Sequence, residues 1–403
     1  MIGTTESKVA GTRTPAKLRP GTPAAIVAFL AAACLAQATD LKFTEHTIAT
    51  GLKGGYQVVI ADLNRDGKPD LLVVASGMSD LVWFENPGWE RHVIAGGFKG
   101  LINAAVYDVD GDGIPEIALA HEFSMRVDQS AGIVSILEHK GDPRGPWSVR
   151  EIDRLTTSHR LRFADIDGSG KKVLINAPLT GAKALAPDYR DHVPLVYYLP
   201  GEWIRQLAGD QNEGVMHGIY PVDWDRNGRE AILTASFSGI DLYRHGPDRR
   251  WSREEITKGD PSPCPKCGTS DVAVGRGSDG RFIAAIEPWH GNQVVVYRKS
   301  GPGWQRRVID DTLDDTHSIV TADLDGDGRD EVVVAQRGKP YRVLVYREAQ
   351  DGWQRTVVDE GGVSAAACAA GDLNGDGRPD LVCVGSATAN LKWYENMKHE
   401  PRP

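Results

Sequence analysis

Residues 314–338 read DDTHSIVTADLDGDGRDEVVVAQRG, and three features meet in this short stretch. An alternating apolar segment, SIVTA, leads into an acidic run that begins at Asp323, and a second apolar segment, EVVVA, follows it. The glycines within the acidic run permit a sharp bend, so the stretch predicts two antiparallel strands joined by a tight turn. One histidine, His317, precedes Asp323 by six residues.

The acidic turn recurs along the chain, and its recurrence predicts the fold. Successive copies begin 46 to 58 residues apart, a period typical of repeat architectures. The seven copies are DLNRDGKPDLLVV from Asp62, DVDGDGIPEIALA from Asp108, DIDGSGKKVLINA from Asp165, DWDRNGREAILTA from Asp223, a degenerate GRGSDGRFIAAIE from Gly275, DLDGDGRDEVVVA from Asp323 and DLNGDGRPDLVCV from Asp372.

Each copy is followed by a third apolar segment, such as VLVYRE, and by a fourth that begins near a tryptophan, such as WQRTVV. Four short antiparallel strands in about 50 residues describe one blade of a β-propeller. The seventh repeat stops after its third strand, LKWYEN, whereas the N-terminal FTEHTIATG resembles a fourth strand. We therefore predict an all-β, seven-bladed propeller over residues 40–396, closed by the N-terminal strand that completes the last blade.

The first 38 residues read as a signal peptide. Basic residues precede a short apolar run over 24–35, and Ala36-Gln37-Ala38 provides the small residues that a signal peptidase requires. We expect cleavage after Ala38 and an exported protein, in the periplasm or outside the cell. A polar tail occupies residues 397–403.

Composition limits the partners. The formal net charge is −9 and no basic stripe stands out, so nucleic acid is not an expected partner, and no segment of the mature chain reads as a membrane span. The pairs Cys264/Cys267 and Cys368/Cys383 are compatible with disulfides or with free thiols. The pattern leaves the oligomeric state open.

The acidic turns have the oxygen spacing of a calcium loop. The order Asp-x-Asp/Asn-x-Asp-Gly places side-chain oxygens on alternate residues, and a carboxylate at the ninth position can complete the site. We expect structural Ca²⁺ in copies one, two, six and seven, and empty turns in copies three and five, with copy four doubtful. The predicted ligands are Asp62, Asn64, Asp66, Asp70, Asp108, Asp110, Asp112, Glu116, Asp323, Asp325, Asp327, Glu331, Asp372, Asn374, Asp376 and Asp380. The motif resembles the FG-GAP and VCBS-type repeats of calcium-binding propellers.

A histidine position repeats in register with the acidic turns. Six residues ahead of the first aspartate stand His159, His217 and His317, with Tyr56 in copy one. This position begins the innermost strand of a blade, and residues after the second strand return to the same face of the propeller. The pattern therefore predicts a histidine-rich axial pocket opposite the calcium turns. Its catalytic candidates are His217, His317, His159 and His290, and its substrate-binding candidates are Tyr56, His121, Glu287, Arg337, Tyr189 and Arg190.

Two stretches carry a narrower resemblance. IEPWHGNQVVVYRK (286–299) and residues 314–338 look similar to the propeller domain of fungal aldos-2-ulose dehydratases, which act on 1,5-anhydro-D-fructose. Related propellers include lyases that cleave uronate-containing glycans. The resemblance implies carbon–oxygen lyase chemistry on a sugar or keto-sugar. Dehydratases of this family carry additional cupin domains, which we do not expect in these 403 residues.

Histidines can supply the chemistry of such a β-elimination, as general bases or as metal ligands. His217 and His317 are the first candidates for base and acid, with His159 and His290 as alternates. Arg337, or Zn²⁺ or another divalent metal held by histidines and Glu287, would balance the developing charge. The alternative is a non-catalytic, calcium-dependent propeller that binds a glycan or a protein, as integrin-type adhesion modules do.

Overall fold

The computed structural model describes residues 41–397. The segment assigned to a signal peptide and the tail beyond Met397 lie outside the described residues, so both assignments stay predictions.

The described chain is built from 28 strands in seven sheets of four. Blade one contains β2 (Gly55–Ala61), β3 (Asp70–Ala75), β4 (Leu81–Glu85) and β5 (Glu90–Ala95); blade two β6 (Asn103–Tyr107), β7 (Glu116–His121), β8 (Ile133–Glu138) and β9 (Ser148–Arg154); blade three β10 (Ser158–Ala164), β11 (Val173–Pro178), β12 (His192–Tyr198) and β13 (Arg205–Glu213); blade four β14 (Met216–Val222), β15 (Ala231–Ser236), β16 (Gly239–His245) and β17 (Trp251–Thr257).

Blade five contains β18 (Asp271–Gly277), β19 (Gly280–Glu287), β20 (Gln293–Ser300) and β21 (Gly303–Asp310); blade six β22 (Thr316–Ala322), β23 (Glu331–Gln336), β24 (Arg342–Ala349) and β25 (Gly352–Glu360); blade seven β26 (Ala365–Gly371), β27 (Asp380–Gly385), β28 (Asn390–Asn396) and β1 (Phe43–Thr50). A short 3₁₀ helix, Val127–Gln129, lies in the connection between β7 and β8.

The blades form a closed ring. Each blade is antiparallel and runs in chain order from an inner to an outer strand, and the innermost strands of neighbouring blades contact one another all the way round, including β26 with β2. In blade seven the outermost strand is β1, which pairs with β28 from Phe43–Asn396 to Thr50–Asn390. The predicted seven-bladed fold and its closure by the N-terminal strand are confirmed.

The core lies between the faces of adjacent blades. The second strand of a blade has neighbours on both sides and on both faces, so β3, β7, β11, β15, β23 and β27 are buried along their whole length. Between blades one and two, for example, Leu72 and Trp83 belong to the same buried cluster as Leu119 and Leu137. This sheet-on-sheet burial explains why the second strands read as continuous apolar runs.

Two disulfides form among the described cysteines. Cys368 and Cys383 are directly opposite each other in β26 and β27 and are bonded, and Cys264 and Cys267 close a local loop. The structure thus selects the disulfide for both pairs where the sequence left two alternatives. Within residues 41–397 no helix has the length and apolar character needed to cross a membrane.

Candidate functional site

The histidine position that repeats in the sequence coincides with an irregularity in the sheets. The register between the first and second strands shifts around His159, His217 and His317, so each of them is the extra residue of a β-bulge. Tyr56 and Ala366 hold the same place in blades one and seven. Because a bulge re-aims the side chain that it carries, these residues turn away from the regular alternation of the strand.

Four imidazole rings meet as a result. The ring centre of His217 lies 5.0 Å from that of His159, 5.1 Å from that of His290 and 4.9 Å from that of His317. His290 and His317 are 5.2 Å apart. His159, His217 and His317 are at most 2% exposed. We call these four residues the axial histidine cluster.

Backbone carbonyls select the tautomer of two members. Nδ1 of His217 donates to the carbonyl oxygen of Ser270 at 3.1 Å, and Nδ1 of His317 donates to that of Ala366 at 2.7 Å. Each Nε2 therefore keeps its lone pair, and Nε2 of His317 is buried without a hydrogen-bond partner among residues 41–397. One nitrogen from each of His217, His290 and His317 lies within 4.8 Å of the other two.

His159 shares its proton-accepting nitrogen with two donors. The Tyr56 hydroxyl lies 2.8 Å from Nε2 of His159, and Nη1 of Arg160 donates to the same nitrogen at 3.1 Å. The Arg160 guanidinium also lies 5.5 Å above the Tyr56 ring. Nδ1 of His159 is buried and has no partner within residues 41–397. The Tyr56–His159 pair therefore holds a proton that can be transferred between oxygen and nitrogen.

His290 is oriented by an ion pair. Nη2 of Arg337 donates to Nδ1 of His290 at 3.3 Å and to Oδ1 of Asp315 at 3.0 Å, and that carboxylate oxygen lies 3.8 Å from the same imidazole nitrogen. His290 and Asp315 both have left-handed backbones, with φ of 47° and 41°. Left-handed non-glycine residues are strained and concentrate at functional sites. Arg337 donates to both of these strained residues, so this side of the cluster has the features of a functional site.

The cluster is poised in its neutral form. Burial holds the pKa values of His159 and His217 well below the usual value, and the positive charge of Arg160 lowers them further. Burial and Arg337 do the same for the pKa of His317, and the pKa of His290 is lowered to about 4. Near neutral pH the Nε2 atoms of His217 and His317 therefore offer lone pairs, as bases and metal ligands must.

Aromatic side chains flank the cluster. The Trp289 ring lies 4.8 Å from that of His290 and 5.6 Å from that of Tyr189, which belongs to the long connection in blade three. Phe123, from the connection in blade two, lies 5.3 Å from His159. Rings of this kind offer flat apolar faces beside a polar centre, an arrangement common in sites for small molecules.

Three predicted site residues lie apart from the cluster. His121 ends β7, one strand further from the axis, where Nε2 lies 3.0 Å from the Ser135 hydroxyl and the ring contacts Phe98. The side chain of Arg190 is 81% exposed on the blade-three connection. Glu287 is fully buried, and its carboxylate accepts hydrogen bonds from Thr269, Tyr297 and Arg306. These three donors engage both carboxylate oxygens, and the role of Glu287 as a ligand or substrate contact stays a prediction.

The structure adds residues that the register argument missed. Arg160 and Arg162 follow His159 on β10, and both line a cavity with Asp271. Asp315 precedes His317 by two residues and anchors Arg337. The sequence held a signal for Arg160 and Arg162, since two arginines alternate with apolar residues in the inner strand SHRLRFA.

The acidic turns lie at the ends of the inner strands that are remote from the axial histidine cluster. Side-chain oxygens within each turn accept hydrogen bonds from backbone amides of the same turn. In copy one, Oδ2 of Asp62 accepts the Gly67 amide at 2.8 Å, and Asn64 and Asp66 accept amides two residues further on. Copies two, six and seven repeat the bond from the sixth-position glycine to the first aspartate. The conformation that places oxygens around a common centre is therefore built into the chain.

The ninth position separates the four turns into two kinds. In copies one and seven it is Asp70 or Asp380, and each carboxylate accepts two backbone amides, one per oxygen. In copies two and six the longer Glu116 and Glu331 each accept one amide. These glutamates lie within 4.8 Å of two turn aspartates: Asp108 and Asp110 in copy two, and Asp323 and Asp325 in copy six.

Copy six fits a cation best. Burial raises the pKa of Glu331 to about 8, with the neighbouring charge of Asp325 adding to the shift. Oδ1 of Asp323 is buried and has no hydrogen-bond partner in the described part of the chain. Crowded, desolvated carboxylate oxygens are the donor set that Ca²⁺ prefers. The residues of this turn therefore match the predicted ion.

Known protein families match both the acidic repeats and the part of the chain that holds most of the axial histidine cluster. The family described as "Aldos-2-ulose dehydratase, beta-propeller domain" matches residues 131–300, and the FG-GAP-like repeat family matches residues 62–119 and 323–383. An aldos-2-ulose dehydratase from Phanerodontia chrysosporium is 29% identical over 235 residues, which is 51% of this chain and 26% of that protein. The chain thus spans about a quarter of the relative's length. The resemblance to this propeller domain and to FG-GAP-like repeats is confirmed, and it points to a family that includes carbohydrate dehydratases.

Proposed function

We propose that the protein is an exported carbon–oxygen lyase that removes water from a sugar or keto-sugar by β-elimination at the axial histidine cluster. The observation that carries this proposal is the convergence of four neutral imidazoles, three of them buried, in a chain that resembles a dehydratase propeller. His159, His217 and His290 fall inside the matched residues 131–300. Two disulfides among the described residues are compatible with an oxidising compartment, which supports the proposed export.

The reaction needs charge stabilisation next to the carbon that loses its proton. His217 and His317 would hold a divalent cation such as Zn²⁺ through Nε2, and His290 would join them once Arg337 releases its Nδ1. When bound, the cation would supply Lewis-acid polarisation of a substrate carbonyl oxygen. The fit rests on one nitrogen from each of the three rings within 4.8 Å of the others, and on Nε2 of His317, which has no partner among the described residues. The carbonyls of Ser270 and Ala366 fix the outer nitrogens of two of these rings, as carbonyls often do for metal-binding histidines.

Proton transfer then falls to Tyr56 and His159. In the elimination a C–H bond breaks and its proton passes to the pair; the C–O bond on the neighbouring carbon breaks, and the departing hydroxyl leaves as water with a proton from the same pair. The 2.8 Å contact between Tyr56 Oη and His159 Nε2 lets the pair accept one proton and return another. Without a bound cation, Nε2 of His217 or His317 would take the role of base expected from the sequence.

Arg337 and Asp315 would act as positioning residues. Their ion pair fixes Nδ1 of His290 from outside the cluster, and the two strained backbones hold the pair in place. A small error in the orientation of a reacting group is costly, because much of catalysis comes from pre-set geometry.

The test is product formation from candidate sugars by the purified mature protein. The enone or unsaturated acid produced by β-elimination absorbs ultraviolet light, whereas the substrates do not. We expect a signal with 1,5-anhydro-D-fructose, a 3-keto-sugar or a uronate glycan, and its loss in His159→Ala and His217→Ala. If no substrate gives a signal while sugars still bind to both variants, the lyase is excluded in favour of the non-catalytic binding propeller.

A further inference from the structure

Two arginines line the central channel directly beside the axial histidine cluster. Arg160 is 6% exposed and Arg162 is half-buried, and the two side chains project from the same inner strand, β10. They line a cavity of about 100 Å³ together with Tyr56, Asn103, Asp271 and His317. A cavity of this size admits several waters or a small charged group. It continues into a larger space of about 480 Å³ that shares Arg162 as a wall.

Neither guanidinium has a carboxylate within ion-pair distance in the part of the chain that the structure describes. Arg160 donates to Nε2 of His159 and lies over the Tyr56 ring. Arg162 donates through Nη1 to Oδ1 of Asn103 at 3.2 Å and to the carbonyl oxygen of Leu161 at 2.7 Å. Most of the five N–H donors of each guanidinium are therefore available to a molecule in the channel.

Charges in this region do not balance. Arg337 is paired with Asp315, which leaves two guanidiniums against the single carboxylate of Asp271 on the cavity wall. The two cations also act on each other: burial and the charge of Arg160 lower the pKa of Arg162 to about 10. A desolvated cation without a counter-charge is unfavourable. One further negative charge in the cavity would balance the two guanidiniums and the carboxylate of Asp271.

We propose that Arg160 and Arg162 receive the carboxylate of a sugar acid, so that the substrate of this site is an anionic sugar and not a neutral one. Two guanidiniums on one strand face present forked donors that match a carboxylate. The carboxylate of a bound sugar acid would lie between these arginines and His317, which places the adjoining carbon beside the histidines. Neutralising the carboxylate there also makes the neighbouring C–H bond easier to deprotonate.

The inference rests on the proposed function for the reaction, but the binding step is independent of it. A competing explanation assigns Arg160 only the task of keeping the histidines neutral, since its charge lowers the pKa values of His159 and His217. That role makes no distinction between charged and neutral sugars. Selectivity for the carboxylate therefore separates the two explanations.

The experiment measures binding of matched sugars to the mature protein by calorimetry. D-glucuronate and D-glucose differ only in a carboxylate against a hydroxymethyl group, and D-glucuronamide keeps the shape of the acid without its charge. We expect D-glucuronate to bind at least about tenfold more tightly than either neutral sugar, because hydrogen bonds to charged groups are worth that much. Equal affinities would overturn the proposal.

Variants locate the carboxylate. Arg160→Gln should lose about tenfold in D-glucuronate affinity with D-glucose affinity unchanged, and Arg160→Lys should lie between, because it keeps the charge and loses the fork. Arg150→Gln is the matched control, because Arg150 lies on the outer strand β9 and pairs there with Glu138 of β8. If Arg160→Gln retains the preference, the arginines do not hold the sugar acid. If chloride displaces D-glucuronate at equal concentration, they form a general anion site, and the proposed selectivity for a sugar acid is overturned.

The outcomes separate this inference from the proposed function. Selective, Arg160-dependent binding of D-glucuronate without any unsaturated product from sugar acids would keep the inference and remove the lyase. Turnover of neutral keto-sugars by a protein without carboxylate preference would keep the lyase and remove the inference. Thermal unfolding of each variant shows whether a loss of affinity comes from a loss of folding.

Discussion

The Tyr56 hydroxyl lies 2.8 Å from Nε2 of His159, although the two residues are 103 positions apart and belong to different blades. Both are bulge residues at the start of an inner strand. The contact exists because the innermost strands of the first three blades lie side by side around the axis, which brings equivalent positions of different repeats together.

Removal of this hydroxyl tests its role in proton transfer. Tyr56→Phe should lower kcat by about 100- to 10,000-fold, the range typical of a lost general acid or base, while KM changes little because the ring remains. Steady-state kinetics on the substrate that gives an ultraviolet signal is the measurement. A kcat within threefold of the wild type would remove Tyr56 from the chemistry.

A second prediction concerns the metal. Elemental analysis of protein purified without chelator should find about one Zn²⁺ or similar ion per chain in addition to calcium, and His317→Ala should lose it. His46→Ala is the control, because His46 pairs with Glu395 on the outer side of blade seven. Full metal content in His317→Ala would show that the ion is bound elsewhere.

The positioning role of Asp315 can be separated from a structural one. Asp315→Ala removes the anchor of Arg337, and we expect kcat to fall at least tenfold with KM nearly unchanged, since His290 loses its orientation but the pocket persists. Asp315→Glu should restore part of kcat. If kcat and the melting temperature fall together and the glutamate rescues neither, Asp315 serves folding alone.

Much of this fold could be predicted from the sequence, because the acidic motif aligns equivalent positions of the repeats. The first aspartate of each copy aligns His159, His217 and His317, and propeller geometry then sends equivalent positions to one axis. The pairing of FTEHTIATG with the last blade also followed from the pattern, since the seventh repeat lacked a fourth strand and the N-terminus supplied one.

Other features depend on partners that lie far apart in sequence. Glu287 looked available because its donors, Tyr297 and Arg306, belong to the next two strands and reach it only through cross-strand pairing. The one-residue bulge at His159 depends on the register with β11, and no local pattern reports it. His121 lies on the expected face but one strand further out, a radial distance that periodicity does not measure.

A fourth prediction concerns calcium binding by the acidic turns. Calcium should raise the melting temperature, with a gain of roughly 2.7 kcal/mol per site at a hundredfold excess over the Kd. Glu331→Gln should remove part of that gain, because Glu331 completes the carboxylate group of copy six. Asp167→Asn in copy three is the control, since that turn has Val173 at the ninth position. An undiminished gain in Glu331→Gln would contradict calcium binding at copy six.

The two disulfides should differ in their effect on stability. A bond that closes 15 residues, as Cys368–Cys383 does, contributes about 3 kcal/mol by restricting the unfolded chain, and the bond across three residues in Cys264–Cys267 contributes less. Chemical denaturation of the two double serine variants measures the free energies of unfolding. A larger loss of unfolding free energy in the Cys264/Cys267 variant than in the Cys368/Cys383 variant would contradict this expectation.

The pairing of β1 with β28 also determines when the protein can become native. Lys392 on β28 donates to the carboxylate of Glu45 on β1, 347 positions earlier, so the last sheet joins the two extremes of the described chain. Contacts across so large a separation in sequence form slowly. During synthesis the sheet of blade seven stays incomplete until residue 396 has left the ribosome. Until then β1 lacks its partner strand, β28.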